Sequence, residues 1–551
     1  MSNILFSFLL KGARDTAEIA GKQQPSETQP LRRQMLVFAA AAGSGILALC
    51  IGCGAPSPVN STDNPQVAIY VFQAQKPGTA KVEFGTTTAY GLETAPVTLP
   101  GGGVPIRIFV AGMRGNTLYH MRAVATYSDG TTETDTDHTF MTGAYPALPT
   151  KVTAATSPGQ TPQPGIELIN GLSAPAEIMA TDLSGNVIWA YIPPSPIPAP
   201  STIQAPKLLP NGDFIFLITP GSSLPILNPS AITAATLDEI REINLAGATV
   251  QELTLAQLNQ ELSAANYNLT LLTLHHEVTP LPNGHVLVLG STIKNVILTG
   301  QTTPTNVLGD VVVDLDQNME PVWVWNEFDH LDVNRQPWNF PDWTHSNAVV
   351  YSKDDGNILV SIRHQNWVVK VDYNNGAGTG NIIWRLGEGG DFTLKGGVDP
   401  TDWFYAQHGP SFTTANTTGI FGLTLMDNGN DRMYPGGTTQ TCGVYGAPVC
   451  YSTVPVFQIN ESTMTATLTF HQIVPPALYN VFGGNAEVPE EVLESNHIEY
   501  DLCGVSLKPP SSQIFEVTNE QNPQTVWNLK LTGANAYRAY RLPSLYPGVQ
   551  W

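Results

Sequence analysis

The sequence predicts an all-β protein in two parts, a β-sandwich followed by a six-bladed β-propeller. Its 551 residues include 49 glycines and 44 prolines, and only 13% are charged. With abundant Val, Thr and Tyr and few Ala/Glu/Lys-rich stretches, that composition favours many short strands joined by turns. Short alternating runs such as QVAIYVFQA and IRIFVAGM, each ended by Gly, Pro or Asp-Gly, fill residues 67–144 and read as a sandwich. Beyond residue 150 a longer unit recurs, which sandwiches in tandem would not produce.

The leader comes first. Arg32 and Arg33 precede an apolar run from Met35 to Gly52, which is followed by Cys53 and a Pro/Ser-rich stretch. This pattern reads as an export signal, with Cys53 as the candidate lipidation site and an uncleaved membrane anchor as the alternative. Either way the body of the chain is expected outside the cytoplasm, in the periplasm or cell envelope. Residues 1–53 are thus a leader and signal or lipoprotein segment, and 54–66 a linker. A net charge of −21 repels nucleic acid, so an anionic substrate needs a local cationic pocket. Beyond the leader only Cys442, Cys450 and Cys503 remain. Cys442 and Cys450 bracket GVYGAPV, a short loop suited to a disulfide in an oxidising compartment. No role is assigned to Cys503, and no zinc site or other cofactor is expected.

The stretch GMRGNTLYHMRAVATYSDG within 67–144 resembles the later half of a fibronectin type III or Ig-like module. Such modules bind, space or dimerise, so a homodimer is open. From 150 to 551 the repeat sets the architecture. LLPNGDFIFL, LPNGHVLVLG, KDDGNILVSI and TTGIFGLTLM carry Gly212, Gly284, Gly356 and Gly419; the first two intervals are 72 residues and the third is 63. Strands bearing Trp189, Trp323 and Trp325, Trp384, and Trp527 follow acidic or polar turns. A Gly turn and a Trp strand recurring at this length are a propeller pattern, and the segment holds between five and six such units.

Three histidines fall in register with that repeat. His276 stands 8 residues before Gly284, and His345 and His408 each stand 11 before their glycines; Gln204 holds the corresponding place in the first unit. In a propeller the strand opening each sheet lies nearest the axis, so such positions converge on one channel. One histidine alone could simply satisfy its own turn, but three in register favour a shared pocket. Arg363 follows a strand-like run after Gly356. Alternation places Arg363 and His364 on opposite faces, and an arginine between apolar strands suits an anion.

The segments HHEVTPLPNGHVLV, DWTHSNAVVYSKDDGNILVSIRHQNWVVKVD, IIWRLGEGGDF and WFYAQHGPSF together resemble the bacterial arylsulfate sulfotransferase family. The resemblance spans about 150–551. It implies transfer of a sulfuryl group from a phenolic sulfate ester to another phenol, without an adenylylated donor and through a sulfohistidine. It implies His408 as nucleophile, Arg363, His276 and His345 as sulfate-contacting partners, and Asn347 as a further substrate contact. His275, beside His276, competes for the same alignment position. The family's disulfide is expected ahead of the nucleophile, whereas Cys442 and Cys450 follow it. Trp403, Phe404 and Tyr405 either stack on the aryl rings or pack the core. Partners are small aryl sulfates and phenols, with the membrane reached through the N-terminal segment. Two other functions remain: a non-catalytic surface propeller that binds ligands through its channel, and a metal-dependent hydrolase using the channel histidines.

Overall fold

The computed structural model describes residues 57–144, 150–172, 176–194, 201–220, 238–338, 341–416, 418–435, 438–439, 450–488, 497–507 and 510–551. The leader, Cys53 and Cys442 lie outside these residues. Contacts divide the chain after Ser57, and Pro58–Trp551 is one compact unit. Among the described residues no helix is long and apolar enough to cross a membrane.

Short alternating runs become strands because one face of each can be buried. In Leu118–Tyr127, buried and more exposed side chains alternate along the whole strand. It pairs with Gly78–Gly85, while Ala68–Gln73 lies between Val59–Ser61 and Pro105–Val110 in a second sheet. The two sheets share one core containing Tyr70, Val82, Phe84, Met121 and Ala123. The chain's last residues return to this part: the Trp551 indole packs in that core and donates to Glu93 O at 3.0 Å.

Residues 151–542 form six four- or five-stranded sheets, antiparallel apart from one edge strand, Thr393–Lys395, and a two-stranded ribbon of Met433–Tyr434 with Thr438–Thr439. The second, third and fourth are continuous in sequence and begin with Ser201–Leu208, Thr273–Pro280 and Ser346–Tyr351. The fifth begins on its facing edge with His408–Phe412, and the sixth with Ala486–Glu487. These facing strands lie against one another in succession. The ends of the segment are stitched crosswise. Ala536–Leu542 pairs with Ile166–Gly171 as the facing strand of the first sheet, and Lys151–Thr156 pairs with Thr525–Thr532 on the far edge of the sixth. Asn485 Nδ2, beside the sixth facing strand, donates to Ala539 O at 2.9 Å, and Lys207 Nζ of the second reaches Tyr540 OH at 3.0 Å. The succession of facing strands therefore returns to its start.

The repeat residues occupy equivalent places. Gly212, Gly284, Gly356 and Gly419 each close the turn after a facing strand, with φ between 71 and 89°, a region L side chains disfavour. Trp189, Trp325, Trp384 and Trp527 each lie on the fourth strand from the facing edge. Each indole N–H donates at 2.8 Å to the following sheet: to Leu245 O, Gly380 O, the Glu461 carboxylate and Leu183 O, respectively. The tryptophans thus lock neighbouring sheets edge to edge, and truncating one to alanine costs about 3–5 kcal/mol.

One departure from all-β is the helix Leu255–Ala264, the sole α-helix among the described residues. Thr254 and Gln257 form a capping box at its start, and Leu255, Leu258 and Leu262 are buried, a spacing that fits one helical face. It is an insertion between the second and third sheets. The 72-residue intervals therefore do not measure a uniform unit, because one contains this helix and the next a long connection over residues 327–345.

Candidate active site

Four successive facing strands carry the same irregularity. Pairing slips at Gln204/Lys207, Leu274/Val278, Ser346/Ala348 and His408/Ser411. At or beside these slips Ala205, His276, His345 and Gly409 have φ of 50, 63, 51 and 51°. Left-handed backbone costs a non-glycine residue about 1–2 kcal/mol, and strain held at one place in sheet after sheet marks a functional region. At Gly409 only glycine fits, since a Cβ would stand 2.5 Å from Asn485 Cβ on the neighbouring sheet. The bulges re-aim the side chains beside them toward one another.

The register histidines meet. The His276 and His345 rings are 5.0 Å apart, and Tyr537 lies 5.7 Å from His276 and 6.3 Å from His408. Gln204, in the same register, accepts the backbone N–H of His276. Of the adjacent pair it is therefore His276 that faces the cluster. His275 turns back into its own sheet, 2.8 Å from Ser291 Oγ and 3.2 Å from Asp310.

Each remaining imidazole is fixed from behind. His345 Nδ1 meets Asp342 Oδ2 at 2.6 Å. His408 Nδ1 meets Asn428 Oδ1 at 2.6 Å, while the Asn428 amide donates to Asn480 O and Gly483 O at 3.0 and 3.1 Å. Two carbonyl acceptors determine which way that amide points, so its oxygen must face His408. The Nδ1 is then the protonated nitrogen and Nε2 carries the lone pair.

Burial and local charge keep that lone pair free. Burial, then the Arg363 guanidinium, and further Arg538 and His345 hold His408 well below the usual histidine range of 6.5, against the Asn428 hydrogen bond, which acts the other way. Burial and the neighbouring His275, His345, His408 and Arg538 do the same to His276. Burial alone would raise Asp342, but His345, His364 and Arg363 together hold it ionised. The cluster also contains unmet polar atoms: Arg363 Nε, Arg538 Nε, Tyr537 OH and Asn347 Oδ1 are buried without a hydrogen-bond partner. Asn347 Oδ1 is an acceptor, but the three donors beside it can grip a tetrahedral anion.

One expectation needs correction. Arg363 and His364 do not diverge: the strand ends at Ile362, and Arg363–Gln365 forms a 3-10 turn ending in left-handed Asn366. Alternation stops there, so Arg363 Nη1 meets His364 Nε2 at 2.6 Å and His364 stacks on His345 with ring centroids 4.6 Å apart. Trp403, Phe404 and Tyr405 are core residues packed against Phe457. Asn347 is fully buried, and its amide donates to Gln407 O at 2.7 Å, beside His408. It ties its own strand to the start of the His408–Phe412 strand. Cys450 is buried, whereas its expected partner, Cys442, lies outside the described residues. Cys503 is a free buried thiol pushed up by burial, an inert packing residue.

Asn428, Tyr537, Arg538 and Trp338 were not anticipated. Trp338 stacks on His364 at 4.7 Å and lies 5.0 Å under Arg363. Asp342, His345 and His364 are close enough to share a metal ion. However, His364 donates Nδ1–H to Asp342 O at 2.8 Å and presents Nε2 to Arg363. Both its nitrogens are engaged and a guanidinium stands beside them, which opposes a dication.

No curated protein matches the chain. Among solved structures, a candidate 6-phosphogluconolactonase from Bacteroides fragilis is 8% identical with a TM-score of 0.33, over 84% of this chain and 98% of that one. An alpha-L-arabinofuranosidase from Fusarium graminearum is 9% identical with a TM-score of 0.26, over 67% and 92%. Likenesses this weak carry no argument. The family model described as Arylsulfotransferase (ASST) matches residues 151–541, which include every residue of the histidine–arginine cluster. The chain therefore belongs to the arylsulfotransferase family and is a sulfotransferase enzyme.

Proposed function

We propose that the chain moves a sulfuryl group from a phenolic sulfate ester to an acceptor phenol, in a ping-pong sequence through a sulfohistidine on His408 and without an adenylylated donor. The observation that carries this reading is the His408–Asn428 pair, which leaves a neutral Nε2 lone pair in a cluster of guanidiniums and imidazoles. Arg363 and its unmet Nε suit the sulfate oxygens. Arg538 adds a fixed positive field.

Sulfuryl transfer follows the logic of phosphoryl transfer, an in-line displacement governed by positioning and charge. His408 Nε2 attacks sulfur, the N–S bond forms, and the S–O ester bond breaks with its electron pair on the leaving phenolate. A phenol has an intrinsic pKa of about 10, so the phenolate takes a proton from His345, whose imidazolium the Asp342 carboxylate supports. In the second half-reaction the acceptor phenol returns a proton to His345 and its oxygen attacks sulfur. The N–S bond then breaks and neutral His408 is restored.

The same reading makes residues 150–551 a six-bladed propeller and 67–144 a fibronectin III-like module, supported by the six sheets, their returning succession of facing strands and the crosswise stitching of the ends. It places the chain outside the cytoplasm, held by lipid at Cys53 or by an uncleaved leader. It also includes a Cys442–Cys450 disulfide, supported by the disulfide-bonded state of Cys450 and by Cys503 being the free cysteine among the described residues.

The test is exposure to a radiolabelled aryl sulfate in the absence of acceptor. An acid-labile label on His408, discharged by added phenol and missing from His408→Asn, is expected. Equal labelling and equal transfer by His408→Asn would refute the role. A binding module would take up no label, and a hydrolase would lose turnover on chelation.

A further inference from the structure

The bulged ends of the facing strands form the His408 cluster, and their other ends surround a separate space. A cavity of about 460 Å³ is lined there by Lys207, Tyr351, Lys353, Ser411, Glu487 and Tyr540 among others. These residues lie toward the Gly turns, past the slips in pairing. Arg538 and Glu277 form its inner wall. They are joined at 2.5 Å, and Arg538 also takes Asn347 O. His276, His345, Arg363, His408 and Tyr537 do not line the cavity.

The cavity's charge differs from that of the chain around it. Three cations, Lys207, Lys353 and Arg538, line it against two carboxyls, Glu277 and Glu487, in a chain of net charge −21. Glu277 is neutralised by Arg538, and Lys207 is a second cation 3.4 Å from it. Burial pushes Glu487 up to about 7, which withdraws part of the remaining negative charge near neutrality. The other walls are apolar: Leu208, Pro210, Pro280, Val349 and Pro410. The Lys207 ammonium sits 4.2 Å from the Tyr540 ring centroid and 3.0 Å from its hydroxyl, a cation–π arrangement that keeps a charge poised against a dry wall. The volume is that of a small-molecule pocket.

We infer that this cavity binds a small organic monoanion with an apolar or aromatic body, of the carboxylate or sulfonate class, its charge held by Lys207 and Lys353 and its body against Tyr351 and Tyr540. The site is distinct from the His408 cluster and holds whatever chemistry His408 performs.

Benzenesulfonate, which carries no transferable sulfate ester, is a suitable probe, titrated calorimetrically into the full chain with Arg363→Gln removing the anion clamp of the His408 cluster. One equivalent is expected to remain bound. Adding Lys353→Glu, an exposed change, or separately Lys207→Met is expected to weaken that equivalent about tenfold or more. An Arg363→Gln protein that binds no benzenesulfonate, or binding indifferent to both lysine substitutions, overturns the assignment.

Discussion

Two regions of the molecule bury several charges, and they do opposite things. At the His408 cluster two guanidiniums, Arg363 and Arg538, face two carboxylates, Asp342 and Glu277, beside the neutral imidazoles of His276 and His408, and Arg363 Nε, Arg538 Nε and Tyr537 OH are left unmet. At the seam between the first and sixth sheets the excess is negative. Arg541, at 0% side-chain exposure, pairs with Glu167, with Glu499 at 2.7 Å and with Glu516 at 3.0 Å. Glu487 accepts the Arg541 backbone N–H at 2.9 Å, and Asp501 lies nearby. Burial first, then mutual repulsion, pushes Glu499 well up, and burial does the same to Asp501. Surplus carboxyls can take up protons and become neutral. Guanidiniums cannot deprotonate, so they keep their charge and their unmet donors stay open to an anionic ligand. Buried charge by itself therefore does not mark a site; whether the group can shed that charge decides.

The largest expected effect sharpens that contrast at the nucleophile's support. Asn428→Leu removes the acceptor that determines the His408 tautomer and should lower kcat by between about 10² and 10⁴, with thermal stability falling only modestly. Unchanged kcat would leave Asn428 a mere packing residue. Arg363→Lys, which keeps the charge and loses the planar fork, should cost about 10²–10³ in kcat; full activity would break the proposed anion clamp. At the seam the effect should fall on folding instead. Arg541→Met strands carboxylates and should destabilise by about 3–5 kcal/mol, read in a denaturant melt, with kcat/KM per folded molecule unchanged. A loss of kcat alone would erase the distinction between the regions.

The smallest effect is on pH. Glu487, Glu499 and Asp501 titrate higher folded than unfolded, so their contribution to stability is full below the unfolded carboxyl range. It is lost as pH rises, for Glu487 through about 7. The groups facing them are Arg541, Glu167, Glu516, Lys207 and Arg538. The midpoint of thermal unfolding should therefore drop between about pH 5 and 8. His408, depressed below 6.5, should hold the acid limb of kcat/KM below the ordinary histidine range over the same interval. A stability curve that rises across this interval would contradict the seam.

Much of the site was readable in advance because it sits on a repeat. Gly212, Gly284, Gly356 and Gly419 mark turns with positive φ, and the histidines stand at short offsets from them. The offsets are 8, 11 and 11 residues, and local spacing carries that information since each sheet opens on a similar hairpin. His276 could not be told from His275 by spacing, because adjacent residues differ only in which way a bulge turns them. Arg363 and His364 were separated by assuming a continuous strand, which a 3-10 turn ended. The run Trp403–Tyr405 reads in sequence as either a ring-binding surface or core; its place in one core cluster with Phe457, over fifty residues away, decides for core.

By itself the sequence determined the class of fold, the order of the units, the register of His345, His408 and the His275–His276 pair, and the presence of Arg363 among them. These are short-range properties, encoded by residues that see one another within a hairpin. Only the tertiary structure decided that Tyr537 and Arg538 join the cluster, that Asn428 holds His408, and that Arg541 lies among carboxyls of two sheets. The first and last of these bring together strands from opposite ends of the segment, while Asn428 meets His408 within one sheet through a bulge that the sequence does not mark. No local pattern records a contact between distant strands, since their distance in sequence is set by intervening insertions and not by the geometry that unites them.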